Sequence, residues 1–498
     1  MNNIITATQI KETDRHTIET EPIASIDLME RASLAFVTIF MQLYPDKNTR
    51  ILVCCGTGNN GGDGLAIARL LQERSYDAIA VWIARFSSHE SNDFSTNLAR
   101  LHNTPIPITE FLPADELPGI PQEVIIDALL GSGLNKPLDG DWLRLTQHIN
   151  QAKKQTVAVD VPTGLRADGV IPEGEHTLHA HDVISFQRPK LSFFFPESAT
   201  AMDRFHVVDI GLDEAFIENM PCDFKLVEAE DIQRIYRKRK PFSHKGTYGH
   251  ALIIAGNRST MGAALLCSGA SLYSGAGLTT ACIPPEGLIA LNARYPEVMY
   301  CAWDDLADQW AKFDAVGIGP GLGNARDKSP NMLPDILRYG SKPLVLDADA
   351  LTFLTKRKTL VKKLPNQSIL TPHMKEFDRL FGAHGNWWDR VQTARKKAAE
   401  HQLIIILKNQ YTFIVLPDGD VSINPTGNPA MASGGMGDVL TGMLVAFLAQ
   451  GYTPAEAAVL ACYLHGAAGN QLAEENGMAV VPAGRLIEAI PSTIGALW

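Results

Sequence analysis

Residues 424–442 read NPTGNPAMASGGMGDVLTG. They follow a strand-like run, residues 412–416 (TFIVL), and a Pro417-Asp418-Gly419 turn, and they open an apolar helix expected over residues 439–448. Gly434, Gly435 and Gly437 have no Cβ, so backbone here can come close to a ligand. Amides at a helix start point towards an anion, and the helix dipole favours negative charge there. Asp438 sits at that tip. An acid beside an anion cradle is badly placed to bind phosphate, but well placed to take the proton of a hydroxyl that attacks phosphate. Taken alone, the segment reads first as a glycine-rich turn with Asp438 in the first helical turn, and only second as a phosphate cradle. The rest of the chain decides between the two.

Several function classes drop out on composition. At 498 residues the chain is too long for one ordinary core, so two or three domains are expected. A net charge of −11 argues against a nucleic-acid binder and against an anionic membrane surface. One basic run, residues 234–240 (RIYRKRK), is short and reads as a solvated segment between domains. The seven cysteines show no CxxC spacing, which points to free thiols in a reducing compartment. The N-terminal residues have neither a basic nor an apolar leader region, and no apolar run reaches transmembrane length. A cytoplasmic protein without membrane contact is expected.

The first half has the rhythm of a doubly wound α/β domain. Residues 11–44 suggest two helices. Residues 50–55 (RILVCC) form an apolar strand that runs into a glycine loop, GTGNNGGDG at 56–64, with a helix expected over 65–74 and a strand over 78–84. Gly56, Gly58 and Gly61 satisfy GxGxxG, which would suit a redox dinucleotide. However, the next strand ends at Ala84-Arg85 with no acid for a ribose, and Asn59, Asn60 and Asp63 add hard oxygen ligands that a pyrophosphate cradle does not need. Two further strands, 123–127 (EVIID) and 156–160 (TVAVD), each end in an acid and run into a glycine loop. Singly, Asp127 and Asp160 are ordinary helix caps. Together with Asn60 and Thr163 they form a convergent site at the carboxyl edge of a parallel sheet. Residues 211–240 read as a polar linker, with the boundary near residue 225. A second α/β domain follows, its strands at 250–255, 316–319, 343–346, 368–370 and 403–407 each delivering a polar or glycine loop.

These loops carry a resemblance. GTGNNGGDG (56–64), DALLGSG (127–133) and DVPTG (160–164) are similar to the NAD(P)H-hydrate epimerase domain, which is Rossmann-like. HKGTYG (244–249), GPGLG (319–323), LDADAL (346–351), LTPH (370–373) and NPAMASGGMGDVLTG (428–442) resemble the ADP/ATP-dependent NAD(P)H-hydrate dehydratases, which are ribokinase-like. Motif order and coverage of nearly the whole chain resemble the bifunctional nicotinamide nucleotide repair family, with an epimerase domain at 1–225 and a dehydratase domain at 226–498.

The resemblance implies roles for residues. In the first domain Asn59, Asn60, Gly61, Gly62 and Asp63, with Gly131, Ser132, Gly133, Leu134, Asn135, Lys136 and Pro137, would hold the hydrated nucleotide (NADHX or NADPHX). Asn60, Asp127 and Thr163 would hold potassium, and Asp160 would contact substrate as the candidate acid/base. Thr163 stands where Ser is frequent, and either hydroxyl can serve. In the second domain Ala263, Gly321, His373 and Asp438 would meet the hydrate. Lys408, Asn409, Gln410, Tyr411, Thr412 and Gly437 would hold ADP or ATP, with magnesium on the phosphates. Asp347 and Asp349 read equally as indirect magnesium ligands and as helix-start caps. Asn409 and Met436 depart from the family pattern, which has Gly and Thr there. Homo-oligomers are also implied. The competing readings are a ribokinase-like small-molecule kinase fused to a ligand-binding module, and, on GxGxxG alone, a dehydrogenase.

Overall fold

The computed structural model describes residues 1–323, 333–340, 342–474 and 477–497. It contains two compact units, one of residues 3–222 with 386–388, the other of residues 1–2, 223–385 and 389–498.

The first unit is a seven-stranded parallel sheet. Ile51–Cys55 lies inside it, with Ile79–Ala84 and then Ile108–Phe111 on one side. Val124–Ala128, Gln155–Val159, Ala180–Phe186 and Met202–Val208 follow on the other. Both faces are covered, so the central strands are apolar throughout rather than alternating. Ile51, Val53 and Cys55 join the core on one face, while Leu52 and Cys54 join that on the other. Strand order reverses between Ile51–Cys55 and Val124–Ala128, the crevice where such sheets bind ligands.

The glycine segment at 56–64 differs from its sequence reading. The helix starts at Asn59 and runs to Glu73, so most of the expected loop is helix. Close packing explains the glycines. A Cβ on Gly61 would lie 1.9 Å from the Gly56 carbonyl oxygen, and one on Gly64 would lie 2.5 Å from the Ala128 Cβ. They let the helix press against the strands, at some loss of helix propensity.

The second unit has a larger mixed sheet. In spatial order it includes Phe224–Leu226, Val421–Asn424, Thr412–Val415, Ile404–Leu407, Ile369–Leu370, Leu344–Leu346, Ala315–Ile318, His250–Ile254, Leu278–Cys282 and Met299–Cys301. Pairing is parallel from Ile404–Leu407 onward and antiparallel around Thr412–Val415. Ala251 and Ile253 pack on one face, Leu252 and Ile254 on the other. Helix Met436–Ala449 is apolar almost all round and lies in the core.

Residues 211–240 are not a plain linker. They contain helices Glu214–Asn219 and Ala229–Ile235 and the strand Phe224–Leu226, which pairs in parallel with Val421–Asn424. Nor is the basic run simply solvated: Arg237 lies over the Tyr452 ring at 4.6 Å and Arg239 over Tyr248 at 4.0 Å. None of the seven cysteines forms a disulfide. Among the described residues, no helix is long and apolar enough to cross a membrane.

Gly61→Ala is expected to lower the stability of the first unit by about 2–3 kcal/mol, because backbone must yield to the new Cβ. Urea unfolding followed by a probe in that unit checks this.

Candidate active sites

At the reversal point of the first unit is a cavity of about 560 Å³. Asn59, Asn60, Asp63, Leu129, Gly131, Ser132, Gly133, Leu134 and Asp160 line it, with Lys11, Asp14, Trp142 and Lys190. Asp160 follows the strand Gln155–Val159 with φ +63°, a strained conformation for a residue other than glycine. The strain is held by its surroundings. Its Oδ1 accepts the Phe186 N–H at 3.0 Å and the Ser185 hydroxyl at 3.2 Å, and pairs with Lys190 Nζ at 2.7 Å. Lys190 is 1% exposed and also donates to the carbonyls of Phe186 and Arg188. Burial, then the charge of Asp160, raise Asp14 to a pKa of about 6. Asp63 is pushed well up, by burial first and then by Asp160 and Asp14.

Asp127 and Thr163 form a second polar group beside this lining. Asp127 is fully buried within Val124–Ala128. Its Oδ1 accepts the Thr163 hydroxyl at 2.7 Å and the Leu129 N–H, and its Oδ2 accepts the Thr163 N–H at 2.8 Å. No lysine or arginine pairs with it among the described residues, and burial lifts its pKa to about 6. Asn60 is close by: a Cβ on Gly131 would meet its Cβ at 3.2 Å and its Oδ1 at 3.4 Å. Its buried amide nitrogen has no partner. A half-turn of the amide puts oxygen there instead. An uncompensated buried carboxylate, a hydroxyl and a rotatable amide oxygen fit a large monovalent cation.

The second unit centres on Asp347 and Asp438. Asp347 is buried, and its Oδ1 accepts Lys408 Nζ at 2.8 Å while Oδ2 accepts the Thr441 hydroxyl at 3.1 Å. Burial alone would raise its pKa, but Lys408, helped by Thr371 and Thr441, holds it below the usual value. Gly437 makes room for this pair, since a Cβ there would lie 3.3 Å from both Asp347 Oδ2 and Lys408 Nζ. Asp438, in the first turn of Met436–Ala449, is raised to a pKa of about 7, by burial first and then by Asp347. Beside them a cavity of about 270 Å³ is lined by Lys408, Asn409, Gln410, Thr412, Met436, Gly437 and His465. Burial takes His465 down to about 4, and its Nε2–H donates to the Met436 carbonyl at 3.1 Å.

Known proteins resemble this chain in sequence along almost its whole length. Residues 251–492 match the NAD(P)H-hydrate dehydratase family, and residues 25–192 match the YjeF-related protein N-terminus. A bifunctional NAD(P)H-hydrate repair enzyme from Moorella thermoacetica is 34% identical, over 98% of this chain and 96% of its own. The chain belongs to the bifunctional NAD(P)H-hydrate repair enzymes. The enzyme of that name from Coxiella burnetii is 34% identical, over 94% of each chain. A solved ribokinase-like superfamily protein from Enterococcus faecalis covers 55% of this chain and 96% of its own, with 29% identity and a TM-score of 0.50. The NAD(P)H-hydrate repair chain therefore combines a doubly wound N-terminal unit with a ribokinase-like C-terminal one, and is an epimerase and dehydratase rather than a kinase fused to a binding module.

The expected residues gather unevenly in this repair enzyme. Of the first set, Asn59, Asn60, Asp63, Gly131, Ser132, Gly133, Leu134 and Asp160 share one cavity, while Gly61 and Gly62 are buried in packing and Asn135, Lys136 and Pro137 lie outside the lining. Of residues 408–412, Tyr411 is outside the lining of the second cavity. Ala263 and Gly321 touch, since a Cβ on Gly321 would meet the Ala263 Cβ at 2.8 Å. His373 is bridged to Lys408 but spends Nδ1 capping Met374–Phe381, accepting the Lys375 N–H at 3.1 Å. Asp347 stands at the start of Ala348–Lys356 without capping it, whereas Asp349 accepts the Gly323 N–H at 2.9 Å. Sequence reasoning missed Asp14, Lys190 and His465. Lys190 had a signal, a lone lysine before LSFFFP, where an apolar run predicts burial. Asp14 had none.

Lys408→Met leaves Asp347 as an unpaired buried charge and is expected to cost about 3 kcal/mol. Asp347 titrates below its usual 3.8, so the pair's contribution is fully present above that pH and is lost as pH falls through the lower folded value. Denaturant unfolding of both proteins at neutral and acid pH should show the gap narrow in acid.

Proposed function

We propose that residues 1–225 interconvert the R and S forms of NAD(P)H hydrate through Asp160, and that residues 226–498 dehydrate the S form through Asp438 at the expense of ADP or ATP. The observation that carries the dehydratase assignment is Asp438 itself, a half-buried acid with a pKa of about 7 at the start of Met436–Ala449, beside the cavity lined by Lys408 and Gly437. Hydroxide is a poor leaving group, and phosphorylating the C6 hydroxyl makes it a good one. Asp438 takes the hydroxyl proton as the phosphoryl group arrives. Amides around Gly435 and Gly437 stabilise the developing charge, each well-placed donor being worth roughly 3–4 kcal/mol. The nitrogen lone pair of the ring then expels the phosphate to give a C=N iminium, and loss of a C5 proton to water returns those electrons to nitrogen and restores the ring C=C double bond.

Residues 408–412 and Gly437 receive the adenine nucleotide, and Ala263, Gly321 and His373 the hydrate. When magnesium is bound, it neutralises charge on the transferring phosphates. Asp349 is the better indirect ligand, because Asp347 is occupied by Lys408 and Thr441. In the first unit, Asn60, Asp127 and Thr163 would hold potassium, whose positive charge would orient substrate oxygens. ADP is taken as the donor by analogy with bacterial relatives. Cysteines without disulfides fit a cytoplasmic setting, and a homo-oligomer completes the reading.

Asp438→Asn should abolish nucleotide-dependent recovery of NADH absorbance while epimerisation continues. Asp160→Ala should do the reverse, leaving S dehydration intact and R unconverted. Retained turnover in either variant at the assigned step overturns that assignment. A base with a pKa of about 7 gains its active, ionised form as pH rises. The dehydration kcat is therefore expected to climb about tenfold per unit below pH 7 and to level off above it.

A further inference from the structure

We propose that Asp14 is the acid of the epimerisation step, giving its proton to the departing C6 hydroxyl while Asp160 takes a proton from the water that returns. The inference rests on the reading of the 560 Å³ cavity as the epimerase site. Asp14 comes from the helix Ala7–Thr20, one turn beyond Ile10 and Lys11, and all three line the cavity. The helix is fixed in place. Thr6 and Gln9 close a capping box at its start, the Ala7 N–H donates to Asp168 Oδ2 at 2.8 Å, and the Asp213 N–H donates to the Thr17 hydroxyl at 3.1 Å. Asp14 is therefore part of the wall, not of a frayed terminus.

The two carboxyls are provided for differently. Asp160 Oδ1 is saturated by Lys190, Phe186 and Ser185, which leaves Oδ2 for the substrate. Asp14 forms no hydrogen bond or ion pair among the described residues. Lys190 is excluded as the acid because its three donors are taken by Asp160, Phe186 and Arg188. It acts as a positioning residue for Asp160. Burial and Asp160 set Asp14 at a pKa of about 6, where a proton is both held and given up near neutrality. Asp63 is lifted well above its usual range, by burial first and then by Asp160 and Asp14.

The chemistry balances. As the C6–O bond breaks, the ring-nitrogen lone pair forms a C=N bond, and the hydroxyl leaves as water with the Asp14 proton. Water then adds to the opposite face of the iminium carbon. The C=N electrons return to nitrogen, and the proton of that water passes to Asp160. Asp14 has lost one proton, Asp160 has gained one, and the substrate is inverted. The other epimer runs the same steps backwards and restores the starting protonation.

The test uses the full-length protein with potassium and no adenine nucleotide, so that dehydration is silent. Pure R hydrate of NADH is incubated in ¹⁸O-water, and the epimers are separated and weighed by mass spectrometry. The wild type is expected to place one ¹⁸O in the C6 hydroxyl per inversion. Asp14→Asn should lower kcat by roughly 10²–10⁴-fold with KM within about threefold, and Asp14→Glu should recover part of the rate. If Asp14→Asn changes the unfolding transition, the Asp14→Glu rate carries the decision. Wild-type kcat in Asp14→Asn, a loss confined to KM, no recovery in Asp14→Glu, or inversion without ¹⁸O overturns the role of Asp14. A wild type no faster than the uncatalysed reaction overturns the epimerase reading of the cavity itself, and Asp14 with it.

Discussion

A carboxylate taken out of water must be met by a cation or by a proton, and both units are arranged around acids in that position. Asp347 is met by Lys408 and Asp160 by Lys190, each at hydrogen-bonding distance. Asp127 has hydrogen bonds but, among the described residues, no lysine or arginine partner, and burial raises its pKa. Asp438 and Asp14 lie next to the paired acids and are raised towards neutrality by burial and by those neighbours. The same pairing logic thus yields two kinds of group in each unit. One acid is paired with a lysine, and beside it lies another whose pKa is raised towards neutrality.

The two lysine-paired acids and Lys408 stand just past strand ends. Asp160 follows Gln155–Val159, Asp347 follows Leu344–Leu346, and Lys408 follows Ile404–Leu407. Within the second unit's sheet, parallel pairing puts the ends that carry Asp347 and Lys408 on one edge, so residues far apart in sequence become neighbours. Glycines then set how close the pieces can come. Gly319 has φ +133°, and a Cβ there would sit 1.8 Å from the Asp347 carbonyl oxygen. The GPGLG turn therefore packs directly on the acid that Lys408 neutralises.

This explains what could be read from the chain. Apolar runs such as RILVCC and TVAVD mark buried parallel strands, and acids just past them mark the edge where they converge. Helix starts were less legible. NNGGDG reads as loop by propensity, but tertiary packing makes it the first turns of Asn59–Glu73, because only glycine allows the contact with Gly56 and Ala128. Residues 211–240 look like a linker because Phe224–Leu226 is a short strand whose partner, Val421–Asn424, lies far along the chain. Asp14 was invisible for the same reason. On an otherwise polar helix, nothing local separates one acid facing a cavity from the acids facing solvent.

The parallel pairing of Phe224–Leu226 with Val421–Asn424 also has a consequence for synthesis on the ribosome. The earlier strand emerges almost two hundred residues before its partner. At roughly 5–20 residues per second it waits on the order of 10–40 s. During that interval its backbone donors and acceptors are open to water or to another nascent chain. The C-terminal sheet therefore cannot complete itself vectorially, and closes only after the antiparallel ribbon at its far end has left the exit tunnel.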